Sequence, residues 1–543
     1  MKQTLYKNII NLHECRIYAA EIQLEGRYIK QIVEQGPERL DLPYLLPGFV
    51  DAHIHIESSM LVPSAFAAVA VRHGSLATVS DPHEIANVLG VAGVDYMLND
   101  AAKVPFKFNF GAPSCVPATT FETAGASINA AEVGELLARP EIRYLSEMMN
   151  YPGVLFEDAE VMAKISHAKA LGKPVDGHAP GLTGEAALTY IAAGISTDHE
   201  CFTLEEALFK AQNGMKILIR EGSAARNFDA LHPLLASHPQ LCMFCSDDKH
   251  PDELLEGHID VLVRQALALG YHYYDVLKAA CVNPVLHYQL PCGLLREGDF
   301  ADFIEVNHPT ELKVLAAYIE GKQVFDGQNI FFEVPLAETP NRFNLQPIDA
   351  KQLALAVAGK QVQIIEARDG QLITGKSTYQ FSNQQSADEA DQNNDILKLV
   401  VVNRYQSAPP AMAFIQGFGL KNAAIAGTVA HDSHNIVAVG STDALLAEAI
   451  NSVIGQQGGL SFTSGSRTEV LPLPVAGLMS TASCAEVGAA YGRLDQLSKQ
   501  AGSTLRAPYM TLSFMALLVI PELKLSDLGL FDGKKFEFTP LFN

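Results

Sequence analysis

Between residues 46 and 285 the chain repeats one pattern eight times. A short apolar run ends in polar residues, and a segment of helical character follows. The runs are "GFVDAHIH", "LATVSD", "KFNFGAP", "IRYLSEMM", "KPVDGHAP", "ISTDHE", "KILIREG" and "LCMFCSDD". Between them lie segments such as "EVGELLARP", "DAEVMAKISHAKALGK" and "TLEEALFKAQNG". Runs of this length read as buried strands. Thr203 with Glu206 predicts a capping box, and Gly172, Gly194 and Gly214 sit where helices should stop. Eight such units over about 240 residues match a (β/α)8 barrel, whose usual size is about 250 residues. A doubly wound open sheet is the alternative, but no Gly-x-Gly-x-x-Gly follows the first run.

The flanks read differently. Before the barrel, "RIYAAEIQL" and "RYIKQIVEQ" alternate with turn residues as a small sheet does. After it, "GLLREGDFADFIEVN" and "VLAAYIEGKQVFDG" resume the same character. The expectation is a barrel (46–285) inserted in a small β domain (1–45 and 286–345). A third region, 346–543, holds "FSNQQSADEADQNND" (381–395), which reads as an exposed or mobile loop. The strand-like "LKLVVVNRY" and "HNIVAVGS" follow, then the helical "STDALLAEAINSVIGQQGG", so a separate C-terminal α/β domain is expected. No sequence repeat of convincing period is visible along the chain.

A chain of 543 residues exceeds one ordinary domain, and 48% hydrophobic with 18% charged residues suits a well-buried enzyme core. A formal net charge of −22 argues against nucleic acid, whose phosphates call for clustered Lys and Arg. A small neutral or weakly basic substrate fits better. No apolar run approaches the roughly 20 residues of a membrane helix, since Arg72 interrupts "MLVPSAFAAVAV". The first residues lack a signal-peptide pattern, so a cytoplasmic protein without membrane contact is expected. Eight scattered cysteines make no disulfide framework. Cys242 and Cys245, three apart on a predicted strand, read as buried thiols facing opposite ways.

In such barrels chemistry gathers at the C-terminal strand ends. Here His53 and His55 end the first strand, sharing a face with Asp51 and Phe49 if alternation holds. Asp81, His83 and Glu84 end the second, Glu147 lies in the fourth, and His178 and His199 end the fifth and sixth. Asp247 and Asp248 end the eighth. Each alone has a bland reading: a lone strand histidine is usually structural, and Asp81 can cap a helix begun by Pro82. Together they are costly to bury without a cation. Imidazole and carboxylate without thiolate suit Mn, Fe, Zn or Co. Six ligands (His53, His55, Glu147, His178, His199 and Asp247) suit two bridged ions, with Glu147 halfway round the barrel as the bridge.

These residues resemble the metal-dependent amidohydrolase superfamily. The strings "PGFVDAHIHIESSM", "SDPHEIANVLG", "YLSEMMNYPGV", "GHAPGL", "STDHE" and "SDD" are similar, more narrowly, to bacterial-type adenine deaminases. "GTVAHDSHNIVAVG" and "LPLPVAGLMS" resemble that family's C-terminal domain, so the likeness spans nearly the whole chain. It implies hydrolytic deamination of adenine to hypoxanthine and ammonia, in purine salvage, at a two-metal centre of Mn or Fe type with Zn possible. It also suggests a homo-oligomer, a dimer being the guess. Glu147 stands where many relatives place a carboxylated lysine, which favours this branch over hydantoinase- or dihydroorotase-like cyclic amide hydrolases.

Within that chemistry Asp247 shuttles protons, and Glu84 or His83 donates to, or orients, the purine ring. Glu57 contacts substrate or bonds loop amides. Asp81 and His431 are further substrate-binding candidates. His431 and His434, in "HDSHN", have metal-like spacing but also read as a structural turn or a contribution to the pocket. The zinc deaminase signature H-x-E with P-C-x-x-C is absent. Two alternatives stay open: cyclic amide hydrolysis, and a purine-binding metal barrel without turnover.

Overall fold

The computed structural model describes residues 2–223, 225–384, 390–465 and 467–542. Eight parallel strands follow one another round a barrel: Phe49–Ile54, Ser75–Ser80, Lys107–Ala112, Ile142–Met148, Val175–Gly177, Thr197–Asp198, Lys216–Arg220 and Cys242–Cys245. The first five form one hydrogen-bonded sheet and the last three another. The Ser196 N–H donates to the Val175 carbonyl (2.9 Å) at one seam. At the other, Asp247 N–H donates to His53 O (2.9 Å) and His55 N–H to Asp247 O (3.3 Å). Strand order follows the chain and the ends meet, which is the (β/α)8 fold rather than an open doubly wound sheet.

Two strands carry an extra residue at the rim. Asp51 pairs with Thr78 and Ile54 with Ser80, three steps against two. Likewise Leu145 pairs with Val175 and Met148 with Gly177. Such bulges re-aim side chains, so the simple alternation expected from Phe49 through His55 does not carry through.

The helices obey local rules with one correction. Thr203 Oγ1 accepts from the Glu206 N–H (3.2 Å), as a cap should. The Glu206 carboxylate does not complete the box, because buried Lys210 draws it away (2.7 Å) along with the Gly181 N–H (2.9 Å). Gly214, with φ of +92°, takes a left-handed conformation directly after the helix Leu204–Gln212.

Outside the barrel, a seven-stranded sheet joins strands from both flanks. Its order is Lys322–Phe325, Val314–Ile319, Phe303–Val306, Tyr44–Pro47, Lys2–Asn11, Arg16–Glu25 and Tyr28–Pro37. The C-terminal part builds an eight-stranded sheet with Leu397–Val402 and Ile436–Gly440 at its centre. The helix Asp443–Gly455 packs Leu446, Ile450 and Val453 on one face of it. The helix Cys484–Gln500, opened by a full capping box between Ser483 and Glu486, lies against the barrel helix Pro251–Glu256. There the Cys484 thiol reaches the Pro251 carbonyl (3.4 Å). Apolar packing is continuous between barrel and C-terminal part.

Of the expected loop 381–395, residues 385–389 lie outside the described residues. Of the remainder, residues 382–384 and 393–394 are exposed as expected, while Phe381 and Ala390 are buried and Asp391 accepts from Tyr379 Oη (2.5 Å). A polar composition hid these anchors. Cys242 and Cys245 are buried free thiols in the eighth strand. Among the described residues no helix is long and apolar enough to cross a membrane.

Candidate metal centre and active site

The rim is built from below. Asp51, wholly buried, accepts from the Ser246 N–H (3.0 Å) and the His53 N–H (3.3 Å) through Oδ1, while Oδ2 bonds His258 Nε2 (2.7 Å). One carboxylate therefore sets the spacing between the first and eighth strands immediately beneath His53 and Asp247. On the other side, Lys210 Nζ donates to Asp198 Oδ2 (2.7 Å) and the Ala179 carbonyl (2.8 Å), pinning the neighbours of His199 and His178. A Cβ on Gly177 would lie 2.3 Å from the Thr197 carbonyl, so the fifth and sixth strands approach this closely only because that residue is glycine.

Six side chains converge on this support. His53 Nε2 and His55 Nε2 are 3.2 Å apart, a spacing of two ring nitrogens that a shared cation relieves. Asp247 Oδ1 lies 3.2 Å from His55 Nε2 and 3.6 Å from His53 Nε2. Glu147 faces both ways: Oε1 is 3.3 Å from His55 Nε2, while Oε2 is 2.6 Å from His178 Nδ1 and 3.1 Å from His199 Nε2. All six are buried, and His53, His199 and Asp247 form one set of donor atoms close enough to hold a cation, with Glu147, His178 and His199 another. His53 Nδ1 and His178 Nε2 are buried without a partner. The donors present, imidazole and carboxylate with no thiolate, fit a divalent first-row metal.

The electrostatics follow from burial and pairing. Burial would push Glu147 up, but His178 and hydrogen bonds to His199 and His55 hold it well below the usual carboxylate range. Burial would do the same to Asp247, which Arg220, then His55 and His199, keep well below. Burial and neighbouring His199 hold His53 neutral, the form a metal ligand needs.

A narrow cleft open to solvent lies above them. It is lined by these polar side chains other than His53 and by Met149, Leu372, Phe514 and Leu517, the last three from the C-terminal part. Polar groups converging beside apolar walls suit a small flat ligand.

Comparison with known proteins agrees. A family model described as "Amidohydrolase family" matches residues 44–332, and one described as "Adenine deaminase C-terminal domain" matches 371–537. An adenine deaminase of Parabacteroides distasonis is 51% identical over 98% of both chains. Those of Sulfurovum sp. and Salinibacter ruber are 53% and 52% identical, again over 98% of each. The chain belongs to the adenine deaminase family. That family is one of amidohydrolases, whose chemistry uses a divalent metal, and the buried donor sets are where this member can hold it.

The remaining candidates fall in three places. His83 and Glu84 line the cleft; His83 Nδ1 is 3.1 Å from Asp81 Oδ2 and 3.5 Å from Glu147 Oε1. Glu84 bonds His431 and His434. Asp81 and Glu57 sit behind the wall: Asp81 Oδ1 accepts from the His83 N–H (3.1 Å) and Glu57 Oε1 from the Ile85 N–H (3.2 Å). His431 lines the cleft from the C-terminal side.

Arg220 and Glu200 are further residues of this adenine deaminase relative's site that its sequence does not single out. The Arg220 guanidinium is buried, bridging Glu200 Oε1 and Asp247 Oδ2. Its place at the end of the seventh strand was the available signal.

Proposed function

We propose that the protein deaminates adenine hydrolytically, releasing hypoxanthine and ammonia. The observation that carries this reading is that adenine deaminases align over 98% of the chain, rim and C-terminal part alike. With it goes a division of the chain into a small β domain (1–45 and 286–345), a barrel (46–285) and a C-terminal domain (346–543).

In this reading His53, His55, Glu147, His178, His199 and Asp247 hold two ions, Mn or Fe, with Zn the alternative. Glu147 would be the residue shared between them, since its two oxygens face different imidazoles. Bound divalent ions supply Lewis acidity and lower the pKa of water, giving hydroxide near neutral pH. The chain's own residues do the rest. Asp247 takes the hydroxide proton as the oxygen adds to carbon 6 and passes it to the departing amine. The pair Arg220–Asp247 keeps Asp247 Oδ1 turned toward His55. Met149, Leu372, Phe514 and Leu517 offer apolar surface to the purine faces and exclude water.

The test is ammonia release and loss of adenine absorbance with metal-replete protein, beside the same assay on dihydropyrimidines. Turnover of adenine alone is expected. Turnover of the cyclic amides, or binding of adenine without product, would replace this reading with one of its alternatives.

A further inference from the structure

Glu84 lies in the first turn of the barrel helix His83–Leu89, yet both its oxygens are held by the C-terminal part. His431 Nδ1 bonds Oε1 and His434 Nε2 bonds Oε2. The Ala430 N–H donates to His434 Nδ1 (3.3 Å), so His434 carries its proton on Nε2 and gives it to Glu84. Each Glu84 oxygen thereby has its own imidazole partner. His431 differs. Its Nδ1 faces Glu84, its ring lies parallel to Phe514 (centroids 4.6 Å apart, 15°), and its Nε2 is buried with no partner. The residue lines the cleft. A buried ring nitrogen without a partner is costly unless a ligand uses it.

We propose that His431, oriented by Glu84, donates through Nε2 to the purine ring nitrogen beside carbon 6. This rests on the adenine deaminase reading and deepens it. As hydroxide oxygen bonds to carbon 6, the electron pair of the ring C=N bond passes to nitrogen, which takes the proton from His431 Nε2. The imidazole recovers a proton from solvent, matching the one released when water became hydroxide. Burial alone would keep His431 neutral, but Glu84 and Asp248 raise it to about 9, so the proton is present at neutral pH. Glu84 is then a positioning residue, and the C-terminal part supplies a catalytic one.

The experiment compares His431→Gln with His431→Asn at equal metal content. The glutamine amide reaches toward the former Nε2, whereas the asparagine amide reaches only toward the former Nδ1 and can keep the Glu84 bond. The asparagine variant is expected to lose about 100-fold or more in kcat, and the glutamine variant to retain several-fold more. Equal rates, or the reverse order, overturn the proposal. Should either variant fail to fold, 15N-histidine NMR of the unsubstituted protein loaded with diamagnetic Zn decides. The His431 Nε2 resonance shifts on adding hypoxanthine, and an unmoved resonance overturns it. Absence of ammonia from the unsubstituted protein counts against the deaminase reading itself, whereas the variant comparison in an active background counts against His431 alone.

Discussion

Asp247 shows how much one residue is asked to do. Its φ is +53°, a left-handed value uncommon outside glycine, asparagine and aspartate. Its N–H and C=O are both used by the first strand, so it closes the barrel with its backbone. Its carboxylate is divided between His55 on one oxygen and Arg220 on the other. Asparagine tolerates the same backbone, so Asp247→Asn preserves the seam while removing the proton carrier. Adenine affinity, by calorimetry, should change little, while turnover falls by about 10²–10⁴-fold. Near-normal kcat in that variant would remove Asp247 from the proton path.

At the scale of elements, the junction between the barrel helix Pro251–Glu256 and the helix Cys484–Gln500 carries a pH dependence. His250 packs edge-on against Tyr491 (centroids 4.6 Å apart), and its Nδ1 is buried without a partner. Burial, reinforced by His431, lowers its pKa to about 3. Between about pH 3 and 6.5 the neutral form is favoured in the folded state alone. The resulting stability is therefore complete above the unfolded value of about 6.5 and declines as pH falls toward about 3. His250→Phe keeps the ring contact without the titration. Its thermal midpoint should vary less than the parent's between those limits, and parallel curves would refute the assignment. The eight barrel strands were legible because apolar runs of strand length recur at barrel spacing, and the rim because potential ligands mark six of the eight. The two bulges were not, since an extra residue leaves no compositional trace. Arg220 carries no mark of its role, since a strand-end arginine ordinarily reads as solvated. Leu372, Phe514 and Leu517 had no signal at all: ordinary apolar residues far along the chain acquire a role only through docking.

For the molecule as a whole, that docking is held by specific bonds as well as by apolar contact. Asp527 accepts from the Thr123 N–H (2.9 Å) of the barrel and from Asn403 Nδ2 (2.8 Å) of the C-terminal sheet. Asp527→Ala leaves both donors unsatisfied, at about 1–3 kcal/mol. Hydrogen exchange at the Thr123 amide should accelerate while barrel-strand amides keep their protection, and unchanged exchange at Thr123 would deny the bond its role. The seven-stranded sheet has a different consequence. Tyr44–Pro47 leaves the ribosome long before its partner Phe303–Val306. At about 5–20 residues per second, that edge waits roughly 10–50 s while the intervening barrel is translated. The early strands are thus a half-finished template during synthesis, and the returning chain must find them beside the point where it departed.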